Sequence, residues 1–544
     1  MSKCITIKEE IPVTESALDV FEMHPYLWGN PATPGELPAA AEELLSALGA
    51  VPPPPPVDIN DTVLPASTLP EAAQAAIASV VGADNVSSSH DARVHHTRGF
   101  STPDLLKLRS GDASDAPDAV VFPANHDEIV AVLKACSEHR IAVVPFSGGT
   151  SVVGGLAATR EGFAGVVALD PRRLDQLVSI DAESRTAVLQ TGLRGSKAEA
   201  LLNERGYTLG HFPQSYEGAT IGGYAAARSA GQSSGGYGRF DEMVESLTLA
   251  TPRGTMSLGT APMSGAGPDL RQLVLGSEGA FGVITSVTVK VHPKPVSRVF
   301  EGWRFPDFTQ GAAAMRALVQ DGPLPTVLRL SDEAETYVNL ADPGAAGAGG
   351  AAGCLMITGY EGTEDETTLM RAGVTKLLLG LGAESLGEEP GEKWRVGRYR
   401  APYLRDQLLD IGGLVETLET ATFWSNIDTL KAAVTEALTS ALGADGQTLV
   451  LCHISHVYDA GASLYFTVLT KADPDPLAQW GRAKAAANAA IRGAGATITH
   501  HHGVGTDHRE TYAQEIGPLA VDVLKAVKAS LDPAGILNPG ILVR

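Results

Sequence analysis

The feature that most limits what this chain can fold into is an apolar run that passes straight into glycine. Ile141 to Val144 read as a strand, and Pro145, Phe146, Ser147, Gly148, Gly149, Thr150 and Ser151 follow without a break. Glycine permits positive φ and lets backbone N–H groups approach a ligand, and the neighbouring hydroxyls add donors. Such a loop at a strand end is an anion cradle. Ahead of it, Ala119 to Phe122 reads as another strand, ended by Pro123. Asn125 can cap a helix in which Ile129, Leu133 and Cys136 recur at helical spacing. Strand, helix, strand and glycine loop make a βαβ unit. The glycines match neither G-x-G-x-x-G nor a Walker A sequence, since no Lys follows them, so the usual NAD and ATP readings fail.

Three further segments share this texture. They are Gln214, Ser215, Tyr216, Glu217, Gly218, Ala219 and Thr220; then Ala227, Arg228, Ser229, Ala230, Gly231, Gln232 and Ser233; then Glu278, Gly279, Ala280, Phe281, Gly282, Val283 and Ile284. Small residues and hydroxyls cluster in each, where backbone must pass close to something polar and extended. Further strands are expected at Val166–Leu169, Ala187–Gln190 and Val283–Val291. A composition break follows His292-Pro-Lys-Pro295. Beyond it, the Ala/Gly stretch from Pro343 to Gly353 has nothing to bury and is expected as a flexible surface loop. A helix is expected near 514–530. The first hundred residues read as an appendage, with a helix near 38–49 and a stiff spacer at Pro52 to Pro56.

Charge removes one class of partner. Lys and Arg total 41 against 63 Asp and Glu, a net charge of −22, with no cationic cluster, so nucleic acid is not an expected partner. The 4 cysteines form no C-x-x-C pair, which argues against a zinc ribbon and against a disulfide framework. No apolar run has the length of a signal peptide or a membrane span. A soluble, cytoplasmic protein is expected.

Four such loops at these spacings resemble the FAD domain of the vanillyl-alcohol-oxidase type of flavoprotein. Within that superfamily, Thr220-Ile-Gly-Gly-Tyr, Arg228-Ser-Ala-Gly231, Tyr237-Gly238 and Thr251-Pro-Arg-Gly254 resemble the alkyldihydroxyacetonephosphate synthases. So do Ala401-Pro-Tyr-Leu-Arg-Asp406, Tyr458-Asp-Ala-Gly-Ala462 with Tyr465-Phe466, and His500-His-His-Gly-Val-Gly505. Trp28-Gly29 is too short a match to argue from. The resemblance implies an α+β protein: a two-subdomain FAD-binding domain, an α/β cap domain and a helical N-terminal extension. The expected boundaries are 1–114 for the extension, 115–295 for the FAD domain, 296–499 for the cap and 500–544 for a segment returning to the FAD domain. It implies non-covalent FAD, since Thr150 stands where histidylated relatives can carry His. It implies exchange of the acyl chain of an acyl-dihydroxyacetone phosphate for a fatty alcohol, redox-neutral, through a flavin–substrate adduct. The partners implied are a lipid-like phosphorylated substrate and a long-chain alcohol, with a homodimer and peripheral contact with a membrane.

Site residues follow from the same motifs. Tyr465 matches the family's catalytic Tyr; from its residue type alone it is one more strand aromatic. A phenol makes a fair base only if cationic neighbours lower its pKa. His500, His501 and His502 are candidate proton carriers. On an extended segment the first and third share a face and the middle one points away. No metal is assigned, because no carboxylate or Cys sits at chelating spacing beside them. Arg405 suits a phosphate or carboxylate clamp, against a surface ion pair with Asp406 or Glu416. Arg329, a charge inside an apolar run, faces the flavin or the substrate, or neither. The rival enzyme is an FAD-dependent 2-hydroxy-acid dehydrogenase, which shares the fold and the terminal Gly-Ile-Leu-Asn-Pro-Gly. Such enzymes carry Glu-His-Gly where this chain has His501-His502-Gly503, and a metal-binding His near the position of Tyr465. A flavin-binding scaffold without turnover is the third reading.

Overall fold

The computed structural model describes residues 23–29, 37, 39–157, 159–340, 353–443 and 448–543. The Ala/Gly-rich loop expected from Pro343 lies outside them, apart from Gly353.

The first sheet holds β1 (Val86–Ser87), β2 (Ala119–Val121), β3 (Ile141–Pro145) and β4 (Gly165–Leu169), in the order β1-β2-β4-β3. β2, β4 and β3 run parallel, and β2 and β4 are buried throughout. Strands covered on both faces have no solvent side to alternate with, which is why they read as unbroken apolar runs. The helix His126–His139 joins β2 to β3, and Asn125 Oδ1 caps it by accepting from Glu128 N at 2.9 Å. β4 inserts between the two strands of this βαβ unit, so they are not neighbours.

The second sheet is antiparallel. Its strands are β5 (Leu177–Asp181), β6 (Thr186–Gln190), β8 (Val244–Thr251), β9 (Gly254–Leu258) and β10 (Val283–Lys290), in the order β5-β6-β10-β8-β9. A small ribbon pairs β7 (Tyr207–Thr208) with β11 (His292–Pro293). The third sheet carries β12 (Ser297–Phe305), β13 (Val327–Ser331), β14 (Cys354–Gly362), β15 (Glu384–Gly387), β16 (Gly413–Phe423), β17 (Thr448–Ile454) and β19 (Gly461–Lys471). Their order is β15-β12-β14-β13-β17-β19-β16, and β18 (Val457–Tyr458) pairs with β19. Leu464, Phe466 and Val468 of β19 enter a core with Leu430, Val434 and Ala487 from the helices Ile427–Leu442 and Pro476–Gly493. The period of two then sends Tyr465 and Thr467 to the other face.

The segment before residue 115, expected as an appendage, is bound into the rest of the molecule. β1 extends the first sheet, and Ile77 and Val81 pack with Ile129 and Leu133. The Thr102 hydroxyl donates to Val415 O at 2.5 Å, and Arg109 pairs with Asp410 at 2.6 Å. Met23, Tyr26 and Trp28 share a core with Leu105, Leu108 and Leu409. The helix expected near 514–530 is two helices, Arg509–Ile516 and Pro518–Leu531, parted at Gly517 (φ 80°). Pro518 cannot continue a helix but can start one. Among the described residues no helix is long and apolar enough to cross a membrane.

Candidate active site

The glycine loops and the exposed face of the third sheet enclose a cavity of about 660 Å³. Pro145, Phe146, Ser147, Gly148, Gly149, Thr150 and Ser151 line it, with Gln214, Ser215, Ala219, Thr220, Ala227, Ser229, Ala230 and Gln232. Glu278, Gly279, Gly282, Val283 and Ile284 come from the loop that opens β10. The other residues predicted for this role do not line it, because consecutive side chains cannot all face one void. Arg228, at φ 53°, donates to Leu275 O (2.9 Å) and Gln272 O (2.6 Å). Ala280 and Phe281 enter a core with Val504 and Ile541. Tyr216 stacks on Tyr399, Glu217 accepts from the Tyr403 hydroxyl, and the Gly218 carbonyl accepts from Arg194. Gly231 and Ser233 are buried outside the lining.

The donor set fits FAD. Among the described residues no protein acceptor takes the amides of Ser147, Gly148, Gly149, Thr150 or Ser151. Backbone N–H groups in a part-buried loop need acceptors, and several in succession suit the oxygens of a pyrophosphate. Gly148 is required by contact, since a Cβ there would run into the Gly218 carbonyl.

Strand register builds the other end of the site. β17, β19 and β16 are neighbours; His453 pairs with Tyr465, and Tyr465 with Glu419. Residues directly opposite share a face. The Glu419 carboxylate accepts from the amides of His500 (2.5 Å), His501 (3.2 Å) and His502 (2.9 Å), and from the Thr499 hydroxyl (2.5 Å). The three histidines are therefore folded around one carboxylate, and the extended arrangement with His501 turned away is not found. His501 Nδ1 lies 2.9 Å from His500 Nδ1, and its ring centre lies 6.2 Å from that of Tyr465. His502 meets Tyr465 edge-on at 5.6 Å. His501, His502 and Tyr465 line the cavity; His500 stands behind them, its Nε2 2.6 Å from the Tyr458 hydroxyl.

Sequence reasoning missed three members of this cluster. His453 stacks on Tyr465 at 4.8 Å, His456 stacks on His500 at 5.1 Å, and Glu419 holds the loop. His456, His500 and His501 each bring a ring nitrogen within 4.8 Å of the others, and His501 Nδ1 is 3.6 Å from Glu419. The spacing for a divalent ion thus exists where the sequence, lacking an adjacent carboxylate, gave no reason to expect it.

Burial lowers the pKa of all three histidines, that of His502 to about 3, so their imidazoles are neutral at pH 7. Burial also pushes the Tyr465 phenol up to about 12; Glu416 and Glu419 add to the rise, while Thr417 and Arg405 oppose it. The condition for Tyr465 to act as a resting base is not met. Its phenol keeps the proton at neutral pH, and the neutral imidazoles beside it leave ring nitrogens without one. Burial works against ionised Glu419, yet it is held well below its usual value; with the rings neutral, the amides of His500, His501 and His502 and the Thr499 hydroxyl supply that hold.

Both predicted arginines line the cavity and both are paired. Arg405 Nε and Nη2 donate to Asp406 Oδ1 at 3.2 Å, and Nη1 donates to Phe100 O at 2.6 Å. The Asp406 pair anticipated on the surface is in the cavity wall. Arg329 Nη2 donates to Glu335 at 2.9 Å and lies 3.0 Å from His453 Nδ1. Trp28 also lines the cavity, its amide donating to Asp406 Oδ2 at 2.5 Å.

Glu278 pins the C-terminal loop to a glycine loop, accepting from Val504 N (2.8 Å) and Gly505 N (3.0 Å). Burial raises its pKa from 4.5 to about 7, against those two amides and with help from Asp507. A raised folded-state pKa stabilises fully below the unfolded value and is lost as pH rises through the folded one. Between about pH 4.5 and 7 the wild type should therefore lose stability, on the order of 3 kcal/mol, relative to Glu278→Gln. Denaturation midpoints of the two proteins across this range check it, and parallel pH profiles would refute it.

A family model described as FAD binding domain matches residues 117–258, and one described as FAD linked oxidases, C-terminal domain, matches residues 294–542. The chain therefore has FAD as its cofactor and a mixed helix-and-sheet fold of the vanillyl-alcohol-oxidase type. The alkyldihydroxyacetonephosphate synthase of Dictyostelium discoideum is 32% identical over 482 residues, covering 85% of this chain and 79% of its own. A solved structure of alkyldihydroxyacetonephosphate synthase superposes with a TM-score of 0.81 at 27% identity, covering 95% of this chain and 98% of that one. The mitochondrial D-lactate dehydrogenase (cytochrome) of Arabidopsis thaliana stands further off, at 26% over 473 residues, 85% of this chain and 78% of its own. This chain belongs to the alkyldihydroxyacetonephosphate synthase family.

Proposed function

We propose that this protein exchanges the acyl chain of an acyl-dihydroxyacetone phosphate for a fatty alcohol, the ether-forming step of ether-lipid synthesis, with no net oxidation. One observation carries the reading: protonated Tyr465 lies among neutral imidazoles beside the cavity, a cluster able to pass protons, with a phenol where the hydroxy-acid dehydrogenases carry a metal-binding His. Bound FAD supplies redox-neutral covalent chemistry at the substrate carbon. Ser147 to Ser151 would hold its pyrophosphate. Arg405 has spent part of its fork on Asp406 and Phe100, and its remaining Nη protons are available to the substrate phosphate. Leu355, Ile357, Pro390 and Trp394 give the cavity an apolar wall suited to alkyl chains. His501 takes the proton of the incoming alcohol, with ionised Glu419 at 3.6 Å favouring the cation that forms and His502 beside it, and Tyr465 donates its own to orient the reacting oxygen. Because both substrates are lipid-like, the reading includes peripheral contact with a membrane by a cytoplasmic homodimer.

The test is incubation with acyl-dihydroxyacetone phosphate and labelled hexadecanol. Label should appear in a phosphate-bearing ether; a 2-hydroxy acid consumed instead would favour the dehydrogenase. Acid precipitation should release the yellow colour into the supernatant. Colour held in the pellet would contradict non-covalent FAD. Arg405→Lys keeps the charge but loses the planar fork, so KM for the phosphate substrate should rise about 10-fold or more, with kcat affected less. Initial rates separate the two effects.

A further inference from the structure

A third arginine lines the cavity, and it differs from the other two. Arg405 is paired with Asp406 and Arg329 with Glu335. For Arg398, at the end of the helix Glu389–Gly397, no carboxylate among the described residues lies within 4.0 Å of the guanidinium. Aromatic rings surround it instead. Its guanidinium carbon is 4.9 Å from the ring centre of Tyr399, 5.1 Å from Phe212 and 5.8 Å from Trp394. Nε and Nη1 are buried and have no hydrogen-bond partner. An aromatic cage eases the burial of a cation, and the acceptor it brings close, the neutral Tyr399 hydroxyl, is a weak match for a charged fork. A guanidinium left in that state is costly, and an oxyanion brought to it relieves the cost.

A second donor belongs to the same string of contacts. Gln232 Nε2 donates to Arg398 O (3.1 Å) and to Gln214 Oε1 (3.3 Å), while Gln214 Nε2 is buried without an acceptor. All three residues line the cavity.

We propose that Arg398 is a second anion subsite of this cavity, separate from Arg405, and that it receives the carboxylate of the departing fatty acid. The inference rests on the exchange reaction proposed above. In that reaction the bond from the substrate carbon to the ester oxygen breaks, and its electron pair leaves with the carboxylate. A new carbon–oxygen bond forms to the alcohol, whose proton passes to the imidazoles. The substrate enters with one anionic group, the phosphate, and the products carry two. Arg405, already shared with Asp406, cannot satisfy both. Arg398 adjoins Trp394, part of the apolar wall that suits an acyl chain, so a carboxylate at the end of that chain falls to it.

The same chemistry would also suit the substrate phosphate, and equilibrium binding to the FAD-loaded protein without turnover separates the two. The probes are palmitate, hexadecanol as the same chain without its carboxylate, and dihydroxyacetone phosphate. Arg398→Gln should weaken palmitate about 10- to 100-fold, the range of a lost hydrogen bond to a charged group, and leave the other two unchanged. Arg398→Lys should recover part of the loss. Arg405→Lys should weaken dihydroxyacetone phosphate and spare palmitate. Palmitate binding that is unchanged in Arg398→Gln overturns the proposal. So does an equal loss of dihydroxyacetone phosphate, and so does loss of FAD absorbance, which would make Arg398 a cofactor residue. If palmitate behaves as expected but labelled hexadecanol enters no ether, the exchange reaction fails and the carboxylate subsite stands.

Discussion

Tyr465→Phe should lower turnover by about 10²–10⁴-fold, the usual contribution of a positioned proton-transfer group, and leave folding and FAD content intact. The ring stays, so its contacts with His453 at 4.8 Å and His502 at 5.6 Å survive; only the hydroxyl goes. That hydroxyl is buried with its pKa raised to about 12, so at neutral pH what is lost is a donor and a link in a proton path, not a resting phenolate. His501→Ala and His502→Ala should each reduce turnover, and combining either with Tyr465→Phe should cost little more, because residues acting as one unit do not contribute independently. Turnover rates of single and double variants, alongside flavin absorbance, decide this. Wild-type rates from Tyr465→Phe would end the assignment.

Glu419→Ala should be the most damaging single change in the site. The side chain is only 1% exposed and accepts from three consecutive amides and one hydroxyl. Each buried donor left without a partner costs about 1–3 kcal/mol, and removing one member of a buried charged network typically costs about 3–5 kcal/mol. Denaturant midpoints should show a loss of that order. Turnover should fall further than stability explains, since the histidine loop loses the group that fixes its shape. Glu419→Gln keeps one acceptor oxygen and should recover part of both. A folded Glu419→Ala protein with wild-type turnover would show that the loop needs no such anchor.

The two ends of the site differed in how far they could be read from sequence. The cofactor end is local: an apolar strand that stops at Pro145 and glycines that follow it declare a strand–loop cradle within a dozen residues. Even there, the motif could not say which residues face the ligand, and Arg228 and Phe281 turn elsewhere. The histidine end is non-local. Glu419 meets Tyr465, and His453 meets Tyr465, only through the register of β16, β19 and β17. Antiparallel register is set by packing across the whole sheet, so no spacing in the sequence announces it. The same holds for Trp28, which reaches the cavity wall from a segment that reads as an appendage. The three histidines were visible as residues; their shape was not, because a carboxylate some eighty positions earlier in the chain decides it.

An exchange moves no electrons out of the substrate, whereas an oxidation cannot turn over without an acceptor. Fatty acid release from acyl-dihydroxyacetone phosphate under nitrogen, with hexadecanol present and no electron acceptor added, separates the two. Many turnovers are expected, with fatty acid and ether formed in equal amounts. Release that stops after a single turnover, or that requires oxygen or an added dye, would contradict the exchange.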